Sequence, residues 1–266
     1  MRVLLAQLTP APGDPSTNLA TVAGLVDEDP EADLVVLPEL FICGYDPAAA
    51  ADLALAAEDP AFAPIIEAAR TQRTAVIVGF AERIGRDVAN AVACIDTDGT
   101  WAGCYRKTHL FGAEEEAFFV GGESLLVVDL AGVRVGVLIC FDMEFPEPAR
   151  ALCQSGASLL VTVAANMEPF GPDHELAARA RALDNRRPHI YVNRLGEQAG
   201  HRFVGGSLVA SASGEVVSAL GGTAGVRCME VEPTGEVPFE VDYLSHLHAD
   251  MPVHFHALGQ NQGGRR

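Results

Sequence analysis

The chain is short of lysine, of long apolar runs and of paired cysteines, and each shortage narrows what it can be. Among its 18 cationic residues only Lys107 is a lysine, and 36 acidic residues leave a formal net charge of −18. Nucleic acids and anionic membrane surfaces are bound by Lys and Arg that neutralise phosphate, so neither is expected as a partner. No apolar run approaches the ~20 residues that a membrane helix needs. The opening Met1-Arg2-Val3-Leu4-Leu5-Ala6-Gln7 meets Pro10 too soon for the apolar core of an export signal and reads as a first strand. A soluble, cytoplasmic protein is the expectation. The six cysteines (Cys43, Cys94, Cys104, Cys140, Cys153 and Cys228) include no C-x-x-C and are irregularly spaced, so reduced and mostly buried thiols are expected. No G-x-S-x-G marks a serine nucleophile, and neither G-x-G-x-x-G nor a P-loop supports nucleotide binding.

What is present suits a large core. Hydrophobic residues make up 49% of the 266, charged residues 20%, and the mean hydropathy is +0.18. A chain of this length buries roughly 70–75% of its unfolded surface and needs no staples. Strand-length apolar runs lie at 2–8, 34–38, 75–80, 88–95, 101–105, 125–129, 133–139, 157–163, 189–193, 207–212, 216–220 and 226–231. Helical spacing fits 17–26, 61–72, 147–154 and 172–186. In the second of these, Phe62, Ile65, Ile66 and Ala69 share one face. Several strands are apolar on nearly every residue, which predicts sheets buried on both faces and an α/β (α+β) sandwich. One domain over residues 1–235 and a tail over 236–266 are expected. The tail carries His246, His248, Asp250, His254 and His256, donors suited to zinc or nickel. Their spacing matches no zinc signature, and no functional metal is expected there.

Three strands stop abruptly at polar residues: Leu34–Pro38 at Glu39, the 135–139 run at Cys140, and the 159–165 run at Asn166. Carboxyl ends of strands are where layered α/β folds collect chemistry. If the three strands are parallel neighbours, these residues share one sheet edge. Cys140 precedes a helix start marked by Glu144, Pro146, Glu147 and Pro148, and a helix N-terminus or a nearby cation lowers a thiol's pKa. Glu39 lies between Pro38 and Leu40-Phe41-Ile42, an apolar setting in which a carboxylate becomes a better proton acceptor. Lys107 survives where every other cation is arginine, as expected if a compact ammonium is required, and it could stabilise an oxyanion.

Together, Leu37-Pro38-Glu39-Leu40, Tyr105-Arg106-Lys107-Thr108-His109-Leu110-Phe111 and Leu138-Ile139-Cys140-Phe141-Asp142 resemble the nitrilase (carbon–nitrogen hydrolase) superfamily, over residues 1 to about 235. The resemblance implies a four-layer α-β-β-α sandwich, paired through its helices into a homodimer or higher homo-oligomer. It also implies a triad: Glu39 as general base, Lys107 as oxyanion stabiliser and Cys140 as nucleophile, with the N–H of Phe141 completing the oxyanion site. A second glutamate is implied within 112–119, Glu115 by one count and Glu114 by another. The run from Cys140 to Glu147, with 165–170 and 178–185, is similar to small aliphatic amidases such as 5-aminopentanamidase and stereoselective carboxamide amidases. Asp184-Asn185 departs from their usual Glu-Asn. The implied reaction is hydrolysis of a small-molecule amide to acid and ammonia through a Cys thioester, with no metal or organic cofactor. Nitrile hydrolysis and N-carbamoyl amide hydrolysis use the same triad. Tyr45, Phe141, Asn166, Met167 and Phe170 are candidate substrate-binding residues, ordinary core packing being an equal reading for Met167 and Phe170.

Overall fold

Strands that are apolar throughout must be covered on both faces, and the computed structural model, which describes residues 1–233 and 243–248, shows how. Two six-stranded sheets form. The first runs β14 (Gly225–Glu230), β1 (Arg2–Gln7), β2 (Leu34–Val36), β3 (Ala75–Ile84), β4 (Asp87–Ile95), β5 (Trp101–Arg106). The second runs β13 (Val216–Ala219), β12 (Leu208–Ala210), β9 (His189–Asn193), β8 (Leu159–Ala164), β7 (Val133–Ile139), β6 (Leu126–Leu130). At the centre of each, three strands are parallel: β1–β2–β3 and β7–β8–β9. The flanking pairs are antiparallel.

Alternation along β1 explains the layering. Val3 and Leu5 enter a core shared with Val135 and Val137 of the second sheet. Leu4 and Ala6 point the other way, onto Leu19 and Val22 of α1 (Pro15–Glu28) and Ile65 of α3 (Ala63–Gln72). On the second sheet, Gly136 faces Leu152 of α5 (Pro146–Gln154), and His189 bonds the Ala178 carbonyl of α6 (Gly171–Asn185). The architecture is therefore an α-β-β-α sandwich. No helix among the described residues is long and apolar enough to cross a membrane.

The expected strands and helices all form, and besides short 3₁₀ turns four further elements join them. These are α2 (Pro47–Leu53), α4 (Gly112–Phe118) and the hairpin β10 (Leu195–Gln198)–β11 (His201–Val204). The segment 112–119, where the second glutamate is implied, is thus largely helical. Nothing caps α4 through a polar N-cap side chain; instead Glu115 reaches back to accept from the Phe111 N–H. The hairpin turns at Ala199-Gly200, both at positive φ, a geometry usually announced by Asn-Gly. Of the 236–266 tail, only 243–248 is described. His246 and His248 are exposed there, while Asp250, His254 and His256 lie outside the described residues.

Buried thiols set an alkaline limit on this fold. Burial pushes Cys43, Cys94 and Cys153 each up to about 12. A folded pKa above the unfolded value of about 9 means stability is full below pH 9 and is lost as pH rises towards 12. At about 1.4 kcal/mol per thiol per pH unit, the three together cost roughly 4 kcal/mol between pH 8 and pH 10. Urea midpoints under reducing conditions should fall accordingly, and a flat profile to pH 10 would refute the linkage.

Candidate active site

The polar strand ends meet at one end of the sandwich, though not on one sheet. β7 and β8 are parallel neighbours, so Cys140 and Asn166 share an edge; Glu39 follows β2, in the facing sheet. The condition that the three strands be parallel neighbours is thus met by Cys140 and Asn166 and not by Glu39, because pairing partners are chosen by the sheet and not by local pattern. The site straddles both sheets instead.

Lys107, directly after β5, is fully buried between two carboxylates. Its Nζ donates to Glu39 Oε1 at 2.7 Å and to Glu115 Oε1 at 2.9 Å. Glu39 also accepts from Asn90 Nδ2 on Oε1 and from the Ala165 N–H on Oε2, each at 2.7 Å. Three donors therefore converge on its two oxygens. Glu115 additionally accepts from the Tyr45 hydroxyl at 2.7 Å. Glu114, the other candidate, lies at the surface against His201. Glu39, Lys107 and Glu115 are at most 1% exposed, whereas Cys140 is 8% exposed, so of the four the sulfur is what a ligand can reach.

Cys140 sits at φ +46, left-handed backbone that costs an L-residue about 1–2 kcal/mol. The turn is held by Asp142, buried and accepting from the Ile139 N–H, the Tyr105 hydroxyl, the Thr108 hydroxyl and the His109 N–H, all at 2.8–3.1 Å. It ties the cysteine turn to the segment that carries Lys107. Electrostatically, the thiol moves opposite to the sequence expectation. Burial, with Glu39 adding to it, pushes the Cys140 pKa well above its ordinary value, and Lys107 only partly offsets them. α5 begins six residues later, and a helix dipole falls off within its first turn. For Lys107, burial opposes the charge, but Glu115 and Glu39 outweigh it and hold its pKa well above the usual range.

A small cavity opens onto the sulfur. Tyr45, Phe141, Asn166, Met167 and Phe170 all line it, and so do Phe111, Ala165, Glu144 and His174, which the sequence reading did not single out. Asn90 and Asp142 were also missed. Asn90 had a signal, an amide inside the apolar run Val88-Ala89-Asn90-Ala91-Val92. A wider groove lined by Ala210, Ser211, Met229 and Glu232 holds no comparable set of groups.

Gly79 of β3 backs the segment that presents Glu39. A Cβ there would lie 2.5 Å from the Pro38 carbonyl oxygen and 2.7 Å from the Glu39 carbonyl carbon, and would also strike the Leu40 nitrogen. All three are backbone atoms that cannot turn aside. Gly79→Ala should displace Glu39 by about 1 Å, lower kcat/KM about 10²-fold and cost about 1–3 kcal/mol of stability. Steady-state kinetics and a urea midpoint check both, and native values for either would show the packing to be slack.

Comparison with known proteins bears on this arrangement. A family model described as carbon-nitrogen hydrolase matches residues 2–234. An (R)-stereoselective amidase from a Pseudomonas species is 36% identical, over 83% of this chain and 81% of its own. A nitrilase of Pyrococcus abyssi is 34% identical, over 82% and 84%. Among solved structures, an amidase from Nesterenkonia sp. superposes with a TM-score of 0.83 at 29% identity, covering 94% of both chains. A mutant of that amidase carries the acetamide moiety of fluoroacetamide covalently added at its active-site cysteine.

Proposed function

The chain belongs to the carbon–nitrogen hydrolase family, and from that premise we propose that it is an amidase that converts small carboxamides to carboxylic acid and ammonia. The observation that carries the reading is a buried ammonium, clasped by two carboxylates, beside a strained cysteine at the floor of a small cavity. Relatives named amidase support the amide over other carbon–nitrogen bonds.

Because burial keeps the resting thiol protonated, the base must take its proton as the sulfur attacks. Cys140 Sγ bonds to the carbonyl carbon while Glu39 accepts the thiol proton. The carbonyl oxygen, now anionic, is met by the Lys107 ammonium and the Phe141 N–H. Two of the three ammonium protons are engaged by Glu39 and Glu115, which leaves one for this oxygen. Glu39 returns its proton to nitrogen, the C–N bond breaks, and ammonia leaves a thioester. Water then gives a proton to Glu39 and attacks the thioester. The C–S bond breaks, and the sulfur recovers its proton. Glu115 holds Lys107 in place and is itself fixed by Tyr45 and the Phe111 N–H.

An ammonia-release panel of short carboxamides, N-carbamoyl amino acids and nitriles tests this, with intact mass spectrometry of the acylated protein. Release from carboxamides with an acyl adduct is expected. Turnover of nitriles without carboxamides would replace the reading with a nitrilase, the name that the Pyrococcus relative carries.

A further inference from the structure

The carboxyl end of β9 carries a cation that the proposed chemistry does not use. Its run Ile190-Tyr191-Val192-Asn193 stops at Arg194, as the β7 and β8 runs stop at Cys140 and Asn166, and the three strands are parallel neighbours. Arg194 is 0% exposed, yet among the described residues it touches no carboxylate. Its Nη1 donates to Gln198 Oε1 at 2.9 Å, its Nε reaches the Leu195 carbonyl only at 3.4 Å, and its Nη2 has no hydrogen-bond partner. The face of Phe203 lies 4.1 Å from the guanidinium. A buried charge held by neutral groups alone is costly, so an opposite charge is needed within reach.

The active site supplies that charge. Glu39 and Glu115 both clasp Lys107, two carboxylates on one ammonium, which leaves one negative charge enclosed. Burial lowers the Arg194 pKa to about 10, against the opposing pull of Cys43, Glu39 and Tyr45, and the guanidinium stays charged at neutral pH. Of those three only Glu39 can answer it there, because burial pushes the Cys43 thiol up to about 12 and raises the Tyr45 phenol well above its ordinary value. The other titratable groups facing Glu39 are Lys107, Cys140 and Tyr191, and burial holds that thiol and that phenol neutral.

Bonds join the two places as well. The Gln198 oxygen that takes Arg194 also accepts from the Tyr45 N–H at 3.1 Å, and the Tyr45 hydroxyl donates to Glu115. Phe203, beside the guanidinium, packs edge-on against the Tyr45 ring with centroids 5.5 Å apart. Gly44 makes room for this link, since a Cβ there would lie 2.7 Å from both polar atoms of the Gln198 amide.

We propose that Arg194 is a positioning residue whose buried charge balances the Glu39–Lys107–Glu115 cluster and, through Gln198, seats Tyr45 on Glu115, so that Glu39 is free to accept the thiol proton at neutral pH. This rests on the amidase reading for turnover, but the same charge acts on Cys140 whether or not an amide is turned over.

The test reads the acid limb of two pH profiles: kcat/KM for a short carboxamide, and the rate of Cys140 alkylation by iodoacetamide, followed by peptide mass spectrometry. Gln198→Glu keeps the size of the side chain and sets a carboxylate on Arg194, cancelling its charge towards Glu39. Both limbs should move to higher pH by about one unit, because Glu39 then holds its proton more tightly. Arg194→Gln, which deletes the charge, should move them in the same direction. Arg194→Lys keeps the charge and loses the fork, so its limbs should stay at the native pH while the plateau of kcat/KM falls about ten-fold. Gln198→Glu leaves the guanidinium in place and decides the matter if Arg194→Gln does not fold. Limbs of Gln198→Glu at the native pH would make Arg194 a packing residue only. Limbs that move as far in Arg194→Lys would show that shape, not charge, is what the site needs. A native chain that releases no ammonia overturns the amidase reading, while the alkylation limbs still judge Arg194.

Discussion

Lys107→Arg is expected to lower ammonia release from carboxamides by about 10²–10³-fold in kcat/KM, although the substitution conserves charge. The ammonium is a single atom with three rotatable donors, two of them fixed at 2.7 and 2.9 Å on Glu39 and Glu115. A guanidinium is planar and presents its donors in a rigid fork. It cannot place one nitrogen on both carboxylates and still turn a proton towards the carbonyl oxygen. Nor is there room for it, since Lys107, Glu39 and Glu115 are all enclosed, and overpacking such a site costs about 1–3 kcal/mol. Lys107→Met separates shape from charge. It strands two buried carboxylates and should destabilise the fold by about 3–5 kcal/mol as well as abolish turnover. Because Glu115 and Glu39 raise the lysine's folded pKa, its contribution is complete below the unfolded value of about 10.5 and is lost as pH rises through the folded one. Kinetics at pH 7–8 therefore compare fully charged forms. Activity within ten-fold of native in Lys107→Arg would make the survival of one lysine among arginines a coincidence.

Much of this site was legible because strand periodicity and its interruption are local properties. Glu39, Cys140 and Asn166 each end an apolar run, and Lys107 is unique by composition. What the pattern could not carry was which strands pair. β2 and β7 read alike, yet they belong to facing sheets, so Glu39 and Cys140, the proposed base and nucleophile, come from opposite sheets. The helix at Gly112–Phe118 was hidden for a related reason, since seven residues without a polar N-cap are held by Glu115 turning inward to Lys107 and Phe111. The state of the thiol was misjudged because its sequence neighbourhood suggested a helix dipole, whereas enclosure by both sheets dominates. Glu144 and His174 lie 30 residues apart on separate elements, and nothing in either local sequence connects them.

Cys140→Ala is expected to remove turnover by at least about 10⁴-fold and to abolish the acyl adduct, while the protein stays folded. The loss follows from the order of events: with no sulfur to form the thioester, Glu39 and Lys107 have nothing through which to act. Stability should change by only about 1 kcal/mol, since one atom facing a cavity is deleted. A second substitution isolates the backbone. Cys140→Gly is equally inactive, yet at φ +46 a residue without Cβ is relieved of strain that alanine retains. Glycine should therefore be more stable than alanine here by about 1 kcal/mol, the reverse of their usual order in regular structure. That difference, read from urea midpoints, measures what the fold spends to aim the sulfur at the cavity. Equal midpoints would mean that the turn is held without strain. In that case Asp142, gripping both the cysteine turn and the lysine segment, would be sufficient to set the geometry.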